Sequence, residues 1–485
     1  MPALIETLPS NSLSTGCVPC LQLWASMFSQ LTTRRYFVGN VSNSSTATGP
    51  AVGAPHNITS ATHHHLQPGV GTLVVRQLPL EQMLADAQLQ ARWIDLLRRA
   101  ENGYAILHPE HVATEWKFWS YRPDGSMWQP QVIFQEHHGS EHPGQWESLA
   151  VLLPRQMAAR RLTHLPLPVQ LHGWHLVGGQ ILRTSTSKEF FEPASSSTRA
   201  IFSAIRQHVD LSRGDFLQIE DLDVDDPLYG AVQSLSGTGF EVHVPYGYRA
   251  RWRIDLRGGS AGYWSKFSSK TRNGFKRKQK KCPSRQLECI THPQDVPRFL
   301  EAASEISKHT WQTHELGLRI KNDPRDQAIY GALAEAGLFR SYLWSIDGRP
   351  VAFLVGNQCA ETFHYEEVGF HEDFADYSPG LLMLIDVLND MLVVNTPRWF
   401  DFGGGDAEYK RIFGNDQSSS GTTWLVRRHG LAAGMFHLAL AVNSIRQQGA
   451  RLRDYYKDRK RLLKNNLQKD TTPGTNLPTG DENPS

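Results

Sequence analysis

The alternation of apolar and polar positions divides this chain into two successive stretches of mixed helices and strands. In residues 71–256 the pattern predicts two helices and strands, then a helix, a strand, a helix and a strand. Residues 257–430 repeat this order, and a long helical segment occupies residues 431–464. We therefore predict an α+β fold with two similar halves and a cleft between them. Residue identities do not repeat visibly, so this prediction rests on the order of elements.

The two ends of the chain differ in composition from the rest. Residues 1–70 are rich in Ser, Thr, Gly, Pro and Asn, and residues 465–485 are polar with Pro and Gly. Such segments bury too little apolar surface to offset the entropy of ordering, so we predict that both are disordered. The whole chain, with 40% apolar and 20% charged residues, has the composition of a soluble globular protein.

The sequence gives no sign of secretion, a membrane span or a metal site. No apolar run approaches the roughly 20 residues that cross a bilayer, and no basic region precedes an apolar one at the N-terminus. The five cysteines form no disulfide framework, and Cys17 and Cys20 are a lone CxxC without a second pair for zinc. We expect a cytoplasmic protein with reduced thiols and no metal.

Positive charge is concentrated in one segment, although the formal net charge is only +2. Lys266–Lys281 contains eight basic residues and no acidic one, with Trp264, Phe267 and Phe275 interleaved at roughly helical spacing. Such a helix has an apolar side that packs and a basic side that binds a polyanion, either a nucleotide-like donor or a tRNA-like one. The alternative interpretation is a solvated helix face that binds nothing.

Three residue types suited to proton transfer follow one another on a predicted strand, Thr362–Gly369. Strict alternation puts His364 and Glu366 on one face, with Tyr365 and Glu367 on the other. A carboxylate or imidazole beside a cleft has its pKa moved towards neutrality and acts as a general base. The sequence leaves open which face lines the cleft, and a charged edge strand is the alternative.

A loop-to-helix junction follows this strand. Ser378 is a good N-cap, Pro379 fits the first helical position, and Gly380 adds no side chain. The backbone N–H groups of Gly380, Leu381 and Leu382 are therefore predicted to stay open to a phosphate at the positive end of the helix dipole. The alternative is a capped helix without a ligand.

The segment DFGGGDAEYKRIFG comes where a second strand ends and a short helix begins. Asp401 and Asp406 suit hydrogen bonds from substrate hydroxyls or amines, or cap the turn instead. Tyr409 and Lys410 are expected to contact a bound anion or acyl group. Three consecutive glycines allow close backbone approach or positive φ.

Three motifs in this order resemble the acetyltransferase domain of the CelD/BcsL type, which belongs to the GNAT superfamily and is related to FemAB-like proteins. They are FSSKTRNGFKRKQKK with Ser268 and Arg272, DYSPGLLMLIDVL with Tyr377 to Leu382, and FDFGGGDAEYKRIFG with Phe400 to Lys410. The resemblance covers about residues 80–430 by layout and about 260–415 by motif.

The resemblance implies two tandem GNAT-like halves with mixed, mostly antiparallel sheets flanked by helices. It also implies acyl-CoA as co-substrate, held through Tyr377–Leu382, with an acceptor contacting residues of the other two motifs. These acceptor-site residues are Arg272, Asp401, Asp406, Tyr409 and Lys410. Because the usual GNAT loop signature, Gln/Arg-x-x-Gly-x-Gly/Ala, is absent, an acyl carrier protein or an aminoacyl-tRNA stays open as the donor. The family's link to cell-envelope and exopolysaccharide assembly suggests an amino-sugar or polysaccharide precursor, and membrane-associated polysaccharide machinery as a partner.

We therefore predict a metal-independent acyltransferase in which an acceptor amine or hydroxyl attacks a thioester directly. Glu366 is the expected base, with Glu367 and His364 as the other catalytic candidates. A non-catalytic scaffold with a degenerate donor site, or a FemAB-like aminoacyl-tRNA-dependent transferase, is the alternative. Nucleic-acid binding through Lys266–Lys281 ranks third, because no further nucleic-acid motif is present.

Overall fold

The computed structural model describes residues 72–121, 128–138, 144–184, 196–235, 239–310 and 320–470. The two segments predicted to be disordered are residues 1–70 and 465–485. Both lie outside the described residues, apart from residues 465–470. Those six residues are helical, because the C-terminal helix continues to Asp470 instead of ending at residue 464.

The first half contains eight described strands and six α-helices. The strands are β1 (Thr72–Pro79), β2 (Gln131–His138), β3 (Trp146–Ala158), β4 (Gln170–Leu176), β5 (Leu182–Arg183), β6 (Phe216–Asp223), β7 (Phe240–His243) and β8 (Arg249–Asp255). The helices are α1 (Leu80–Ala85), α2 (Ala87–Arg99), α3 (Pro109–Lys117), α4 (Ala159–Thr163), α5 (Ser196–Leu211) and α6 (Pro227–Gln233). Short 3-10 helices cover Ala105–Leu107 and Val177–Gly179.

The described part of the second half adds six strands and seven α-helices. The strands are β9 (Arg285–Ile290), β10 (Ser341–Ile346), β11 (Arg349–Cys359), β12 (Thr362–Phe370), β13 (Trp399–Gly404) and β14 (Asp416–Arg427). The helices are α7 (Gly259–Ser265), α8 (Ser269–Lys281), α9 (Val296–Lys308), α10 (Pro324–Glu335), α11 (Pro379–Met391), α12 (Glu408–Phe413) and α13 (Leu431–Asp470). Short 3-10 helices cover Pro293–Asp295 and Glu372–Tyr377.

Most predicted elements are present, with several local differences. The helix predicted from Leu80 to Leu97 is broken at Asp86, whose carboxylate accepts hydrogen bonds from the backbone N–H groups of Gln88 and Leu89 and so starts a new helix. The sequence pattern did not predict the strands β4 and β5 or the short helices α4 and α7. In β4, Gln, His and Gly interrupt the apolar run QLHGWHL, which weakens the strand pattern.

The described strands form a single sheet that runs through both halves. Its order is β1-β2-β3-β4-β6-β14-β8-β13-β12-β11-β10-β9, with β5 beside β3 and β7 beside β14. Among the strand pairs of described register, β4–β6 and β12–β13 are parallel and the others are antiparallel. The predicted mixed, mostly antiparallel α+β architecture is confirmed, with one continuous sheet instead of two.

The same crossover occurs once in each half. In the first, α5 connects the parallel strands β4 and β6, and in the second, α11 connects the parallel strands β12 and β13. Between these units lie β14 and β8. Because β14 is the last strand of the second half but pairs with β6 and β7 of the first, it crosses into the first half at the centre of the sheet.

The halves also share a hydrophobic core. One buried cluster contains Trp93 and Leu97 of α2 and Phe299 of α9. It also contains Phe339, which lies just before β10, and Phe353 of β11. A second cluster lies under α11, and a third under α5. Burial of apolar side chains from both halves in one cluster ties them together.

The chain divides by compactness into two units. One contains residues 1–156 and 172–428, and the other contains residues 157–171 and 429–485. The predicted boundary at residue 256 falls inside the first unit, directly after β8, and the sheet continues across it. In the second unit, α4 and α13 pack against each other. Within the part of the chain that the structure describes, no helix has the length and apolar character to span a bilayer.

Candidate active site

A cleft opens where the two halves meet in the sheet. Two adjoining hollows, of about 540 Å³ and about 660 Å³ with solvent at their mouths included, share Asp221, Tyr365, Glu366 and Gly403 in their walls. The first half contributes β6, the turn after β4 and Tyr104, and the second half contributes β12 and β13. Among the predicted catalytic residues, His364 and Glu366 line this cleft.

A β-bulge in β12 sets the position of the central carboxylate. Val355 of β11 pairs with Glu367, and the next residue, Gly356, pairs with Tyr365. Glu366 is therefore the extra residue on the bulged strand. Bulges re-aim side chains and are common beside active sites, and here Glu366 is in the walls of both hollows.

The same bulge corrects the predicted faces of β12. His364 is opposite Asn357 and Glu367 is opposite Val355, two residues away on β11. Directly opposed residues project to one face, and so do residues two apart on a regular strand. Glu367 therefore lies on the face of His364, and the prediction that it shares a face with Tyr365 is wrong, because strict alternation fails at a bulge.

Glu366 is held by residues from both halves. Its Oε1 accepts a hydrogen bond of 2.6 Å from the Tyr104 hydroxyl and one of 3.1 Å from Asn357 Nδ2. Tyr104 belongs to the first half and Asn357 to β11 of the second. Two donors on one oxygen fix the carboxylate orientation, as a base that must meet a proton requires.

His364 packs beside this carboxylate. Its ring stacks on Tyr104 with centroids 4.0 Å apart, and its Nε2 donates to the Gly103 carbonyl at 3.3 Å. Burial lowers the pKa of His364, although the carboxylates of Asp401 and Glu366 act in the opposite direction. The imidazole is therefore neutral at pH 7 and fixed by its backbone contact.

Asp401 is ion-paired at the floor of the cleft. It is 3% exposed, and Arg251 donates to its Oδ2 through Nε at 3.1 Å and through a second, shorter contact. Its Oδ1 accepts the Gly403 N–H at 2.8 Å. Burial by itself raises the pKa of Asp401, but the Arg251 guanidinium outweighs it and holds that pKa well below its usual range.

The glycine-rich turn after β13 requires its glycines. Gly403 has φ +67° and Gly405 has φ +116°, a conformation that other residues rarely adopt. A Cβ on Gly404 would lie 2.8 Å from Asp221 Oδ1 and 2.9 Å from Ser420 Oγ. The predicted positive φ and close approach are therefore both present.

Four predicted acceptor-site residues lie away from the cleft walls. The side chains of Asp406 and Arg411 form an ion pair, and the ring of Tyr409 packs against Phe402. The Lys410 ammonium is buried and donates to the carbonyls of Phe402 and Gly404 at 2.9 and 3.4 Å, so it holds the turn instead of contacting an anion. Arg272 donates to the carbonyls of Phe267 and Trp264.

At the predicted donor corner, Tyr377–Leu382, the backbone conformation and the hydrogen bonds differ from those predicted. Ser378 precedes α11 but adopts a left-handed conformation, φ 55° and ψ 53°, and its side chain does not cap the helix. The N–H groups of Leu381 and Leu382 both donate to the Ser378 carbonyl at 3.1 Å. The prediction that three N–H groups stay open is therefore wrong for two of them, because the first turn closes on itself.

The basic segment reaches this corner. Residues 269–281 form α8, which has no buried residue, and Lys278 Nζ donates to Ser378 Oγ at 2.9 Å. Within the described residues, no ion pair of 4.0 Å or less joins an α8 side chain to a carboxylate. The interleaved aromatic residues pack inward, with Phe275 stacked on Phe413. Tyr377, Ser378, Pro379, Gly380, Leu381 and Leu382 are not in the walls of the two hollows.

The sequence pattern did not identify three of the residues that line the cleft. Tyr104, Arg251 and Asp221 lie far from the motifs in sequence and carry no spacing signal of their own. Tyr104 is more than 250 residues from Glu366, and only the pairing of the two halves brings them together. The Arg251–Asp401 pair follows from the register of β8 with β13, which the sequence does not specify.

Comparisons with known proteins show which family and which folds this chain resembles. Residues 269–411 match the family model of the acetyltransferase (GNAT) domain, a segment that includes β12, the donor corner and the glycine turn. This match confirms the prediction of an acyltransferase. No curated protein sequence matches the chain.

Solved structures resemble the chain at low sequence identity. The crystal structure of FemX is 13% identical with a TM-score of 0.51, and the match covers 72% of this chain and 98% of FemX. A conserved protein of unknown function from Bacteroides thetaiotaomicron is 10% identical (TM-score 0.44; 73% and 100% covered). A tandem GNAT protein from the clavulanic acid biosynthesis pathway is 13% identical (TM-score 0.38; 74% and 99% covered). The likeness to FemX shows a shared fold, and no argument rests on the other two.

Proposed function

We propose that this protein transfers an acyl group from a thioester to an amine or hydroxyl acceptor in the cleft between its halves. The observation that carries the proposal is the Glu366 carboxylate, which a bulge turns into the cleft and which Tyr104 and Asn357 orient. It lies inside the segment that matches the acetyltransferase domain.

In the proposed reaction, the acceptor nitrogen or oxygen attacks the thioester carbonyl carbon. Glu366 takes the acceptor proton, the new C–N or C–O bond forms, and the C–S bond breaks as this proton passes on to the leaving sulfur, which releases a free thiol. Backbone N–H groups that polarise the carbonyl contribute a few kcal/mol to such a transition state. These steps use only the side chains and backbone of the chain.

The donor in this proposal is acyl-CoA, with acetyl-CoA as the first candidate. Its diphosphate binds beside the first turn of α11, at Ser378 Oγ and Lys278 Nζ. Glu366 lies four residues before the end of β12, about 13 Å along the strand from the start of the loop that leads to this corner. Because α8 has a basic face, an acyl carrier protein or an aminoacyl-tRNA is the second candidate donor.

The finer assignment to the CelD/BcsL type rests on the three motifs. This assignment adds three further proposals. The acceptor is an amino-sugar or exopolysaccharide precursor, the protein is cytoplasmic, and it contacts membrane-associated polysaccharide machinery. These assignments are proposals at the same level as the donor.

Replacing Glu366 with Gln tests the proposal. Glu366→Gln keeps a side-chain oxygen that accepts the hydrogen bonds from Tyr104 and Asn357, but it removes the base. Release of free thiol from acetyl-CoA in the presence of amino sugars should therefore fall about 10²–10⁴-fold. Binding of acetyl-CoA, measured by thermal shift, should not change.

The matched control is Glu110→Gln, an exposed carboxylate on α3. It should behave as the unmodified protein in both measurements. Turnover by Glu366→Gln equal to that of the control would exclude Glu366 as the base, and absence of both turnover and donor binding in the unmodified protein would favour the scaffold alternative.

A further inference from the structure

The cleft wall is strongly acidic for a site that binds an acyl acceptor. Five carboxylates and one guanidinium line the first hollow. The carboxylates are those of Asp221, Asp223, Asp226, Glu366 and Asp401, and the guanidinium is that of Arg251. A concave surface lined by one sign of charge concentrates ligands of the opposite sign. The wall therefore favours a cationic ligand.

These carboxylates lie on opposite sides of the cleft. Asp221 and Asp223 belong to β6 of the first half, whereas Glu366 belongs to β12 of the second. Asp226 is paired with Arg183 at 3.0 Å and Asp401 with Arg251, while Asp223 Oδ2 lies at longer distances, 3.9 and 3.8 Å, from Arg251 and Arg253. The base proposed for the reaction and the first-half carboxylates thus face the same space from two elements.

A buried hydroxyl gives independent evidence of a ligand here. Ser420 of β14 is 1% exposed, lines the second hollow, and its Oγ has no hydrogen-bond partner among the described residues. Leaving a buried polar group unsatisfied is destabilising, so such a group in a cleft wall indicates a missing partner. Gly404 keeps the space beside it open, because a Cβ there would meet both Ser420 Oγ and Asp221 Oδ1.

We propose that the acceptor carries two amino groups. One reacts at Glu366, and the other stays protonated and binds between Asp221, Asp223 and the Ser420 hydroxyl. This inference rests on the proposed acyltransferase function and names the class of its acceptor, a diamine or a molecule with two amines a few bonds apart.

The two amino groups have different charge states in this arrangement. The reacting amine loses its proton to Glu366 as its nitrogen bonds to the carbonyl carbon, and the C–S bond breaks. The second ammonium keeps its three N–H donors for carboxylate and hydroxyl oxygens. Ser420 accepts one of these hydrogen bonds, which satisfies its buried oxygen.

The test compares matched pairs of small acceptors. Binding of 1,5-diaminopentane and of 5-amino-1-pentanol to the full chain is measured by calorimetry, without a donor. We expect the diamine to bind about tenfold or more tightly, since a charge-assisted hydrogen bond replaces a neutral one. The same difference should appear in KM when thiol release from acetyl-CoA is followed. Equal affinities would overturn the inference.

Two variants locate the second ammonium. Asp221→Asn should reduce the diamine preference about tenfold, and Ser420→Ala should reduce it without lowering the unfolding temperature, because it removes an unsatisfied buried group. Glu110→Gln on α3 is the matched control and should keep the full preference. An unchanged preference in both cleft variants would also overturn the inference.

The two proposals fail in different ways. Diamine binding without any thiol release from acetyl-CoA would contradict the proposed acyl transfer from that donor but support the acceptor site. Thiol release with monoamines and diamines alike would support acyl transfer and contradict the acceptor site.

Discussion

At the scale of single residues, one inserted position in β12 decides which carboxylate reaches the cleft. The sequence identified His364, Glu366 and Glu367 as candidates for proton transfer, and strict alternation separated the two glutamates. The bulge opposite Val355 and Gly356 places them on the same side and brings Glu366 into the walls of both hollows. Register between β11 and β12 creates this bulge, and residue types on one strand do not encode it.

Tyr104→Phe tests whether the first half orients the base. The substitution removes the 2.6 Å hydrogen bond to Glu366 Oε1 and keeps the ring that stacks on His364. Loss of a hydrogen bond to a charged group costs about 1.5–3 kcal/mol, so kcat should fall about tenfold or more while KM for acetyl-CoA stays the same.

The control for this variant is Tyr121→Phe, which also removes one 2.6 Å hydrogen bond, to His172. Its kcat should equal that of the unmodified protein. If both tyrosine variants lose activity to the same extent, the effect of Tyr104 is one of stability and not of orientation.

Asp401→Asn tests the ion pair beneath the cleft. Removing Asp401's charge leaves the partly buried Arg251 with only the longer contact to Asp223, at 3.9 Å, and we expect a loss of about 3 kcal/mol in the free energy of unfolding, the lower end of the range for a broken buried pair. Urea titration measures this loss. The exposed pair of Asp210 with Arg427 is the control, and Asp210→Asn should cost less than about 1 kcal/mol.

The pH dependence of this loss has a defined sign. Because the folded state holds the pKa of Asp401 below its unfolded value, its stabilising contribution is complete above that unfolded value, about 3.9. It disappears as pH falls towards the folded pKa. The difference between Asp401→Asn and the unmodified protein should therefore be constant from pH 5 to pH 8, and a difference that grows with pH across that range would contradict the assignment.

At the scale of elements, α8 and α11 together form the predicted donor corner. The sequence predicted both helices, the cap position of Ser378 and the basic character of α8. It did not predict that Lys278 contacts Ser378 Oγ, or that the first turn of α11 satisfies two of its own N–H groups. Helix packing decides the first, and the left-handed conformation of Ser378 accompanies the second.

Lys278→Ala tests this corner. If the Lys278 ammonium contacts the diphosphate of acyl-CoA, its removal should weaken donor binding about tenfold or more, as expected for a charge-assisted contact. The measurement is the thermal shift over a series of acetyl-CoA concentrations. Lys308→Ala on α9 is the control and should not alter the shift. An identical shift in both variants would place the diphosphate elsewhere.

At the scale of the whole molecule, the two halves share a sheet and a hydrophobic core. Strand β14 pairs with the first half although it belongs to the second, and one buried cluster contains residues of both halves. We therefore expect the first compact unit to unfold in a single cooperative transition. Tandem halves joined only by a linker would unfold separately.

Buried histidines make this transition depend on pH. Burial lowers the pKa of His111, His175 and His208 to about 4. The unfolded chain binds protons at these sites near pH 6.5 and the folded chain does not, so stability falls as pH decreases from 6.5 towards 4. Urea midpoints at pH 7, 6 and 5 should decrease in that order.

Substituting a buried histidine should reduce this slope. His175→Gln removes one of the three neutral imidazoles and should give a smaller difference between the midpoints at pH 7 and pH 5. His292→Gln, at an exposed site, is the control and should keep the full slope. Equal slopes in both variants would mean that other groups cause the loss of stability in acid.

The sequence by itself determined most of the order of helices and strands and the residue types available for chemistry, and it predicted two similar halves. It did so because apolar periodicity, caps and glycine turns are local properties of the chain. The tertiary structure alone decided the single sheet, the crossing of β14 into the first half, the bulge at Glu366 and the contacts of Tyr104 and Arg251. These depend on the register and packing of segments far apart in sequence, and local pattern does not specify such contacts.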